Sequence, residues 1–407
     1  MVTKALPGAL VAVCVVVGVV GLARGEMVVL AQTGEGAPDG NGTYLEFRNP
    51  VLNAFGRIAF AGDLAGTAGG YDDDRGIFRV DASGGTVICR EGWVTPAGDG
   101  WFNKLYDPAM NNASQLAFRG EAADTPLWPY DGIGVYRGSP GVLDQLFRGN
   151  DLAPDGNGRF MVMDYEILFD DDVATVFRAG FTDTAGGYSD DTGIVVNGWG
   201  ISKICVREGQ WVPSGNGRFA GFLQIAANMD QNVAFLGTLR NTTAGSDNNV
   251  GIFSARPWSS GVNLVELVRE GDAPPDGNGE YRSFSLSPTL DNMGNGRIGF
   301  HAWLRNTSGG TDDDSGIFLA MDAGVARIAR ETQSPPDGNG QYSNFDSDIA
   351  QNDSYVAFRA WLRNTSGAPL DDQGLYRSNA FTTRKIVRTG EPSPTATACS
   401  APSGTSS

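Results

Sequence analysis

The stretch Pro38-Asp39-Gly40-Asn41-Gly42 follows a short apolar segment and returns five more times along the chain. Three later copies are identical and begin at Pro154, Pro275 and Pro336. Two are altered and read Pro96-Ala97-Gly98-Asp99-Gly100 and Pro213-Ser214-Gly215-Asn216-Gly217. The prolines lie 58, 58, 59, 62 and 61 residues apart. Self-similarity at a regular period indicates a repeat architecture.

Three further features recur in the same order in each copy. The first is clearest in Asn53-Ala54-Phe55-Gly56-Arg57-Ile58-Ala59-Phe60, where the final Phe is followed two residues later by a small residue in all six copies. We expect this small residue to let the next sheet come close. The second is an acidic loop before a Gly-apolar strand start, as in Asp72-Asp73-Asp74-Arg75-Gly76. The third is an apolar segment that ends in an arginine, at Arg90, Arg148, Arg207, Arg269, Arg330 and Arg388.

These features predict four short strands per copy, lettered a to d, which in the first copy cover residues 44–52, 57–64, 76–80 and 86–90. Asn and Gly at the turns tolerate the positive φ of tight hairpins. With 57 glycines and 20 prolines among 407 residues, long helices are not expected. A four-stranded meander cannot bury both faces alone, so we expect an all-β, six-bladed β-propeller with repeats of about 60 residues. The alternative is an open array of small β-domains.

The predicted domain organisation has three parts. Residues 1–25 have a basic start, an apolar run and a small-residue cleavage site, which is typical of a secretory signal peptide. The repeat domain covers 26–391, with repeats at about 26–85, 86–142, 143–200, 201–262, 263–323 and 324–391. Residues 392–407 form a disordered Ser/Pro/Thr/Ala tail. The segment 28–34 also has the pattern of strand d, so seven d strands accompany six sets of the other three.

The recurrent Asn-x-x-Gly-x-x-Ala-Phe unit resembles the tandem-repeat family of exported bacterial proteins named for that pattern, whose members commonly carry variable carboxy-terminal anchoring segments. The resemblance covers roughly residues 26–391. Two copies depart from it, with Ser114 in place of Gly56 and Asp170 in place of the Asn. Since the family is uncharacterised, the resemblance implies export and architecture, and it supplies no catalytic residues.

Composition excludes several classes of function. The formal net charge is −17, and such a chain repels phosphate backbones, so nucleic acid is not an expected partner. One histidine and four cysteines leave little for a Cys/His zinc site. Cys89 and Cys205 occupy nearly equivalent places in two copies, so we expect both to be buried apolar residues.

Calcium is the one cofactor that the sequence suggests. The acidic loops Asp72, Asp73, Asp74 and Asp312, Asp313, Asp314 offer the oxygens that this hard ion prefers. They match only a fragment of the known calcium-loop pattern, however, and lack its bidentate Glu. The alternative is that these residues only form turns and that solvent surrounds their charges.

Two sets of arginines recur. The strand d arginines are expected to pair with the neighbouring Glu or with the loop Asp of their own repeat. A ring of them binding a carboxylated ligand is the alternative. A second set, Arg119, Arg178 and Arg359 with His301 at the same place, is interpreted as a tolerant surface or rim position. The unmatched residues Trp128, Trp199, Trp211 and Trp258 form no recognisable constellation, although loop tryptophans such as Trp199 and Trp211 can stack on sugars.

Two functions follow. The favoured one is a secreted, cell-surface or periplasmic, monomeric, non-enzymatic propeller that binds an unknown extracellular protein or carbohydrate. Any contact with a membrane is expected only through an uncleaved signal segment. The alternative is a hydrolase or lyase acting on extracellular polysaccharide through acids such as Asp164, Asp170 or Glu166.

Overall fold

The computed structural model describes residues 12–15, 28–169, 174–198, 201–228, 232–258, 260–286, 297–321, 323–352, 354–379 and 381–392. Within them the regular structure is β-strand with four 3₁₀ turns of three residues each. None of their helices has the length and apolar character needed to cross a membrane. The chain divides into two compact units, Met1–Arg269 with Asn292–Gly296, and Glu270–Asp291 with Arg297–Ser407.

The first unit contains four antiparallel sheets, numbered 1 to 4, in which strands a to d follow one another as a meander. Sheet 1 consists of Thr43–Phe47, Ile58–Ala65, Arg75–Asp81 and Gly84–Arg90, and sheet 2 of Trp101–Leu105, Leu116–Ala123, Ile133–Ser139 and Val142–Arg148. Sheet 3 consists of Arg159–Phe169, Thr175–Thr182, Thr192–Gly198 and Ile201–Arg207, and sheet 4 of Arg218–Ala227, Val233–Arg240, Val250–Trp258 and Gly261–Arg269. Val51–Leu52 and Ala109–Met110 also pair with strand b of sheets 1 and 2.

The second unit contains sheets 5 and 6 with the same order of strands. Sheet 5 consists of Glu280–Leu286, Ile298–Arg305, Ser315–Met321 and Gly324–Arg330. Sheet 6 consists of Gln341–Phe345, Val356–Arg363, Gln373–Ser378 and Thr383–Arg388, and Ala350–Gln351 also pairs with its strand b. The prediction of an all-β chain with six four-stranded meanders is confirmed for the described residues.

The structure also places the seventh d-type segment. Val28–Gln32 pairs with Ala12–Val15, and its Ala31 is buried in the same apolar cluster as Phe60 and Phe78 of sheet 1. The last d strand, Thr383–Arg388, pairs with strand c of its own sheet. Most of the predicted signal peptide and of the tail lies outside the described residues.

Aromatic rings from strands a, b and c form a cluster inside five of the sheets. In sheet 4 the rings of Phe235 and Phe253 stack with centroids 5.5 Å apart, and Phe219 meets Phe253 edge-on at 4.9 Å. The same arrangement recurs in the other sheets with strand b–c ring pairs, namely Phe60–Phe78, Phe118–Tyr136, Phe300–Phe318 and Phe358–Tyr376. Offset and edge-on ring pairs add to the stability that burial alone provides.

Consecutive sheets within each unit pack face to face. In the first unit, Ile77 and Cys89 of sheet 1 share an apolar cluster with Phe118 of sheet 2, and Val176 of sheet 3 shares one with Phe235 of sheet 4. In the second unit, residues of sheets 5 and 6 form a similar cluster. Because both faces of strand b are covered, its residues are apolar almost without alternation.

The small residue two positions after the strand b Phe has a different role from the one expected. The sequence interpretation was that it allows the next sheet to come close. A Cβ atom at Gly237 would instead lie 2.9 Å from the ring of Phe219 and 3.1 Å from that of Phe253, both in its own sheet. The small residue therefore makes room for the ring cluster.

Each sheet has two distinct ends. The loop end holds the Pro-Asp-Gly-Asn-Gly loop that leads into strand a, the loop between strands b and c, and the last residue of strand d. In sheet 4 the paired residues Arg218–Arg240 and Gly251–Arg269 lie at this end. At the hairpin end lie the a–b turn and the c–d hairpin, as for the pair Trp258–Gly261.

We expect the ring cluster to determine stability. Replacing fully buried Phe235 in Phe235→Ala leaves a cavity and should lower the free energy of unfolding by about 3–5 kcal/mol. The matched control is Phe55→Ala, because Phe55 is 72% exposed in the a–b turn. Chemical denaturation measures both variants, and equal losses would contradict the assignment of the core.

Candidate functional site

The strand d arginines are buried at the loop end and bind the loop that precedes strand a of the same sheet. Arg90 is 1% exposed and donates to the Asp39 carboxylate at 2.5 Å, to the Asn41 carbonyl at 2.6 Å and to the Asp73 carbonyl at 3.1 Å. We call this set, Asp39, Asn41, Asp73 and Arg90, the arginine latch of sheet 1. The predicted pairing of these arginines with a loop Asp is confirmed here.

Equivalent latches occur in four other sheets. The pairs of arginine and loop carboxylate are Arg148–Asp99 at 2.7 Å, Arg207–Asp155 at 3.0 Å, Arg330–Asp276 at 2.8 Å and Arg388–Asp337 at 3.0 Å. Removing one partner of a buried pair leaves the other charge uncompensated, which is costly. The latch therefore ties the start of each repeat to its end.

The two altered loops keep a carboxylate beside the arginine by different means. In sheet 2 the second loop residue is Ala97, and the carboxylate that pairs with Arg148 comes from Asp99, two positions later. In sheet 4 the second loop residue is Ser214, and Glu266 on strand d lies 3.4 Å from Arg269 and accepts a hydrogen bond from Ser214. These compensations indicate that the buried arginine requires a nearby negative charge.

The last glycine of the loop motif is explained by close approach of the backbone. Gly42 has φ +92°, and a Cβ atom there would lie 2.9 Å from the carbonyl oxygen of Ala65 at the end of strand b. The corresponding glycine of each other copy also has a positive φ and an equally close strand b carbonyl. Only glycine fits this position without strain.

The loop asparagine connects the latch to the acidic b–c loop. Asn41 accepts a hydrogen bond from the Ala68 N–H at 2.7 Å and donates to Asp73 at 2.8 Å. Burial alone would raise the pKa of Asp73, but hydrogen bonds from the side chains of Thr67 and Asn41 outweigh it and hold the pKa below 3.8. Asn157, Asn278 and Asn339 make the same two bonds in sheets 3, 5 and 6.

The six aspartates considered for calcium do not face one common point. Asp73 and Asp313, the middle residues, accept bonds from the loop asparagines. The first residues of the two triplets, Asp72 and Asp312, belong to the 3₁₀ turns, and Asp312 pairs with Arg363. The third residues, Asp74 and Asp314, are hydrogen-bonded to Glu91 and Glu331, which directly follow strand d of their sheets. In the described part of the chain no group of three or more acidic, His or Cys side chains is placed to hold a metal, and calcium binding stays a prediction.

Those glutamates form carboxylate pairs that the sequence analysis missed. Burial, with the neighbouring Asp74 carboxylate, raises the pKa of Glu91 to about 7, and burial together with Asp314 raises that of Glu331 to about 7. Burial also raises the pKa of Glu208, which is hydrogen-bonded to Asp191. The two acids of a pair are always the same distance apart in the sequence, and this constant spacing could have revealed the pairs: 74 and 91, 191 and 208, and 314 and 331.

The second set of arginines corrects one interpretation. Arg119 is 3% exposed, lies 4.2 Å from the centroid of the Tyr106 ring and pairs with Glu121. His301 is fully buried, its Nε2 lies 2.8 Å from the Ser315 hydroxyl, and burial lowers its pKa to about 4. The prediction of a surface or rim position is wrong for these two residues because both side chains are buried.

The remaining predicted residues have simple environments. Cys89 and Cys205 are buried free thiols, as expected. Trp128, Trp211 and Trp258 are 59%, 52% and 48% exposed. Trp199 and Asp170 lie outside the described residues, as do the side chains of Asp164 and Glu166.

An open cleft of about 660 Å³ lies beside the latch of sheet 3, between sheets 3 and 4. Arg240 on strand b of sheet 4 pairs with Glu208 at 2.8 Å and donates to the Ser189 carbonyl at 2.6 Å. Arg218 donates to the Gly209 carbonyl at 2.6 Å and lies over the ring of Trp211, 4.1 Å from its centroid. The cleft thus combines arginines with two acids, Asp190 and Glu208, and the exposed ring of Trp211 lies against Arg218 beside it; we take this arrangement as the candidate functional site.

The altered loop of sheet 2 provides a test of the latch. Asp39→Ala should lower the free energy of unfolding by about 3 kcal/mol, because buried Arg90 loses its counter-charge. Adding Asn41→Asp to that variant copies the sheet 2 arrangement and should restore part of the loss. Denaturant unfolding measures both, and a double variant less stable than the single one would contradict the compensation.

The carboxylate pairs predict a pH dependence. Since the folded pKa values of Glu91 and Glu331 are raised from 4.5 to about 7, the folded state binds more protons than the unfolded state between those values. The stability they contribute is complete below pH 4.5 and is lost as the pH rises through 7. The melting temperature should therefore fall by a few degrees from pH 5 to pH 8.

The variant Glu91→Gln/Glu331→Gln should flatten this decline, whereas Glu46→Gln, at an exposed position on strand a, should leave it unchanged. A decline that is equally steep in the double variant would show that other groups cause it.

Comparison with known proteins gives the family and a weak likeness to solved structures. No curated protein matches the chain significantly. A puromycin hydrolase structure aligns with a TM-score of 0.40 and 14% identity over 83% of this chain and 45% of that chain. The β-propeller domain of the trilobed protease from Pyrococcus furiosus aligns with a TM-score of 0.30 and 8% identity, covering 86% of this chain and 100% of that one.

An α-L-arabinanase from Penicillium chrysogenum aligns with a TM-score of 0.33 and 11% identity, covering 84% of this chain and 96% of that one. The chain spans less than half the length of the puromycin hydrolase that it matches. Likeness at this level carries no argument about function. Residues 16–396 match the family described as a family of unknown function (DUF7453), and the chain therefore belongs to that family.

Proposed function

We propose that this protein is an exported, non-enzymatic binding module that holds an extracellular glycan at the loop ends of its first four sheets. The six-bladed propeller expected from the repeats is part of the same proposal, as is export directed by residues 1–25. The observation that carries the binding function is a set of exposed aromatic rings at these loop ends.

The rings lie on the b–c loops of sheets 1 to 3, at the first residue of strand a in sheet 2, and on the loop that enters strand a of sheet 4. Tyr71 and Tyr188 are each 94% exposed at the tips of 3₁₀ turns, Tyr130 is 77% exposed, and Trp101 and Trp211 are 43% and 52% exposed. Each ring lies at the loop end of its own sheet, and exposed apolar surface rimmed by polar residues is typical of interaction sites. Flat aromatic faces suit the apolar faces of sugar rings, and the Tyr hydroxyl and the Trp N–H remain able to form hydrogen bonds.

The latch fixes the loops that carry these rings. Asp190, two residues after Tyr188, accepts hydrogen bonds from the N–H of Gly186, two residues before it, and from the Asn157 amide. Ser189 is held through its carbonyl by Arg240. A binding loop that is already ordered loses less conformational entropy when the ligand binds, so the polar network of the repeat favours recognition.

The enzymatic alternative has less support from the described residues. Glycoside hydrolysis by two carboxylates requires them to be about 5–9.5 Å apart, with room for sugar or water between them. Glu208 and Asp191 are hydrogen-bonded to each other, and the same pair is repeated in sheets 1 and 5. A group copied into several repeats fits a structural role, and binding is therefore the function that we propose.

Trp211 and Trp258 form a matched pair for the test. Both have about half of their surface exposed, and they lie at opposite ends of sheet 4. In affinity electrophoresis against a panel of soluble extracellular polysaccharides, we expect the wild-type protein to be retarded by at least one of them. Trp211→Ala should weaken that binding by about tenfold, because it removes a stacking ring, and Trp258→Ala should not.

Two results would contradict the proposal. One is that no polysaccharide on the panel retards the wild-type protein. The other is turnover of a polysaccharide that persists after purification to homogeneity, which would favour the enzymatic alternative.

A further inference from the structure

The candidate site differs from its counterparts in the other repeats of the first unit. An isolated bridge joins the loop to the first residue of strand a in four sheets, pairing Gly36–Thr43, Val94–Trp101, Leu152–Arg159 and Trp211–Arg218. Only in sheet 4 does this bridge bring a tryptophan beside an arginine. Because a repeated scaffold conserves what its fold needs in every copy, an unmatched pair at an exposed end indicates a specific role.

The guanidinium of Arg218 is positioned but is not neutralised. Its recorded contacts in the described part of the chain are one hydrogen bond to the Gly209 carbonyl and the face of the Trp211 ring. Neither contact supplies a negative charge. A guanidinium held on an aromatic face keeps in-plane N–H donors at its edge, and this fork matches the two oxygens of a carboxylate.

The surroundings favour an anion within the cleft. Of the three arginines in its lining, Arg207 pairs with Asp155 and Arg240 with Glu208, whereas Arg218 forms no ion pair with a described residue and keeps its positive charge available. The chain as a whole is acidic, but charges farther away than about 8 Å are largely screened at physiological ionic strength. The local charge therefore decides what the cleft holds once the ligand has arrived.

The cleft has room for a sugar with its substituents. Its volume of about 660 Å³ lies within the range of ligand pockets, and Trp211 stands at its side with half of its surface exposed. Arg240, the register partner of Arg218 on strand b, is fixed by Glu208 and the Ser189 carbonyl, so it lines the cleft beside Arg218 without moving to meet the ligand. A site for an acidic sugar needs an aromatic ring on which the sugar ring can stack and a guanidinium that can pair with its carboxylate.

We infer that this cleft selects glycans that carry a carboxylate, and that Arg218 binds the carboxylate of a uronic acid residue whose ring packs near Trp211. The inference rests on the proposed glycan-binding function and adds the class of sugar. A sulfated sugar presents a similar charge with tetrahedral rather than planar oxygens, so it serves as a comparison ligand.

The test uses the full-length protein and isothermal titration calorimetry with three probes: a short oligogalacturonate, the same oligosaccharide after reduction of its carboxyl groups, and a sulfated oligosaccharide of similar length. We expect the oligogalacturonate to bind at least about tenfold more tightly than either of the others. Arg218→Gln should remove this preference, so that the oligogalacturonate binds no more tightly than the carboxyl-reduced sugar.

Arg159→Gln is the matched control. Arg159 occupies the same position in sheet 3 and donates to the Asn150 carbonyl, but its bridge partner is Leu152 instead of a tryptophan. This variant should keep the full preference for the carboxylated probe. Circular dichroism melting of both variants shows whether they remain folded.

The failures can be told apart. Equal binding of the carboxylated and carboxyl-reduced probes, or equal loss in Arg159→Gln and Arg218→Gln, would overturn the assignment of a uronate while the glycan-binding function stands. Binding of the sulfated probe as tightly as the oligogalacturonate would also overturn it. If no probe binds to the wild-type protein, the inference fails, and retardation by the polysaccharide panel decides separately whether the glycan-binding function stands.

Discussion

The buried arginine at the end of strand d is the constraint on which each repeat depends. Its charge can be accommodated in the interior only if a carboxylate and carbonyl groups surround it, and these come from the loop that begins the same repeat and from the b–c loop. One side chain thus brings together three segments that are distant in sequence. The conformation of the Pro-Asp-Gly-Asn-Gly loop, its glycines and its asparagine all follow from this arrangement.

The latch also explains how a repeated fold can carry a function that is not repeated. Hydrogen bonds to Asp73 and its equivalents fix the base of each loop at the loop end, while the residues at the loop tips make few contacts with the rest of the fold. Those tips are therefore free to differ between copies. In the first three repeats they carry Tyr71, Tyr130 and Tyr188, and in the fourth repeat the loop into strand a carries Trp211.

Much of the fold could be predicted because its determinants are repeated. The turn residues, the strand b Phe and the strand d Arg recur at fixed spacing, and the pairing of Arg90 with a loop carboxylate follows from the cost of burying a charge. The burial of His301 was not predictable in this way, since it depends on which sheet covers strand b. The role of Gly237 was misjudged because the rings of Phe219 and Phe253 approach it within its own sheet, which spacing alone does not reveal.

The candidate site was hidden for the opposite reason. Arg218 and Trp211 are unmatched, so no repetition draws attention to them, and only the bridge between their backbones places the guanidinium over the ring.

The central claim remains the latch, and a double-mutant cycle on Arg330 and Asp276 tests it most directly. With Arg330→Met, Asp276→Asn and the double variant measured by denaturant unfolding, the account predicts a coupling energy of at least about 1.5 kcal/mol between the two side chains. Additive effects, with a coupling within about 0.5 kcal/mol of zero, would contradict it.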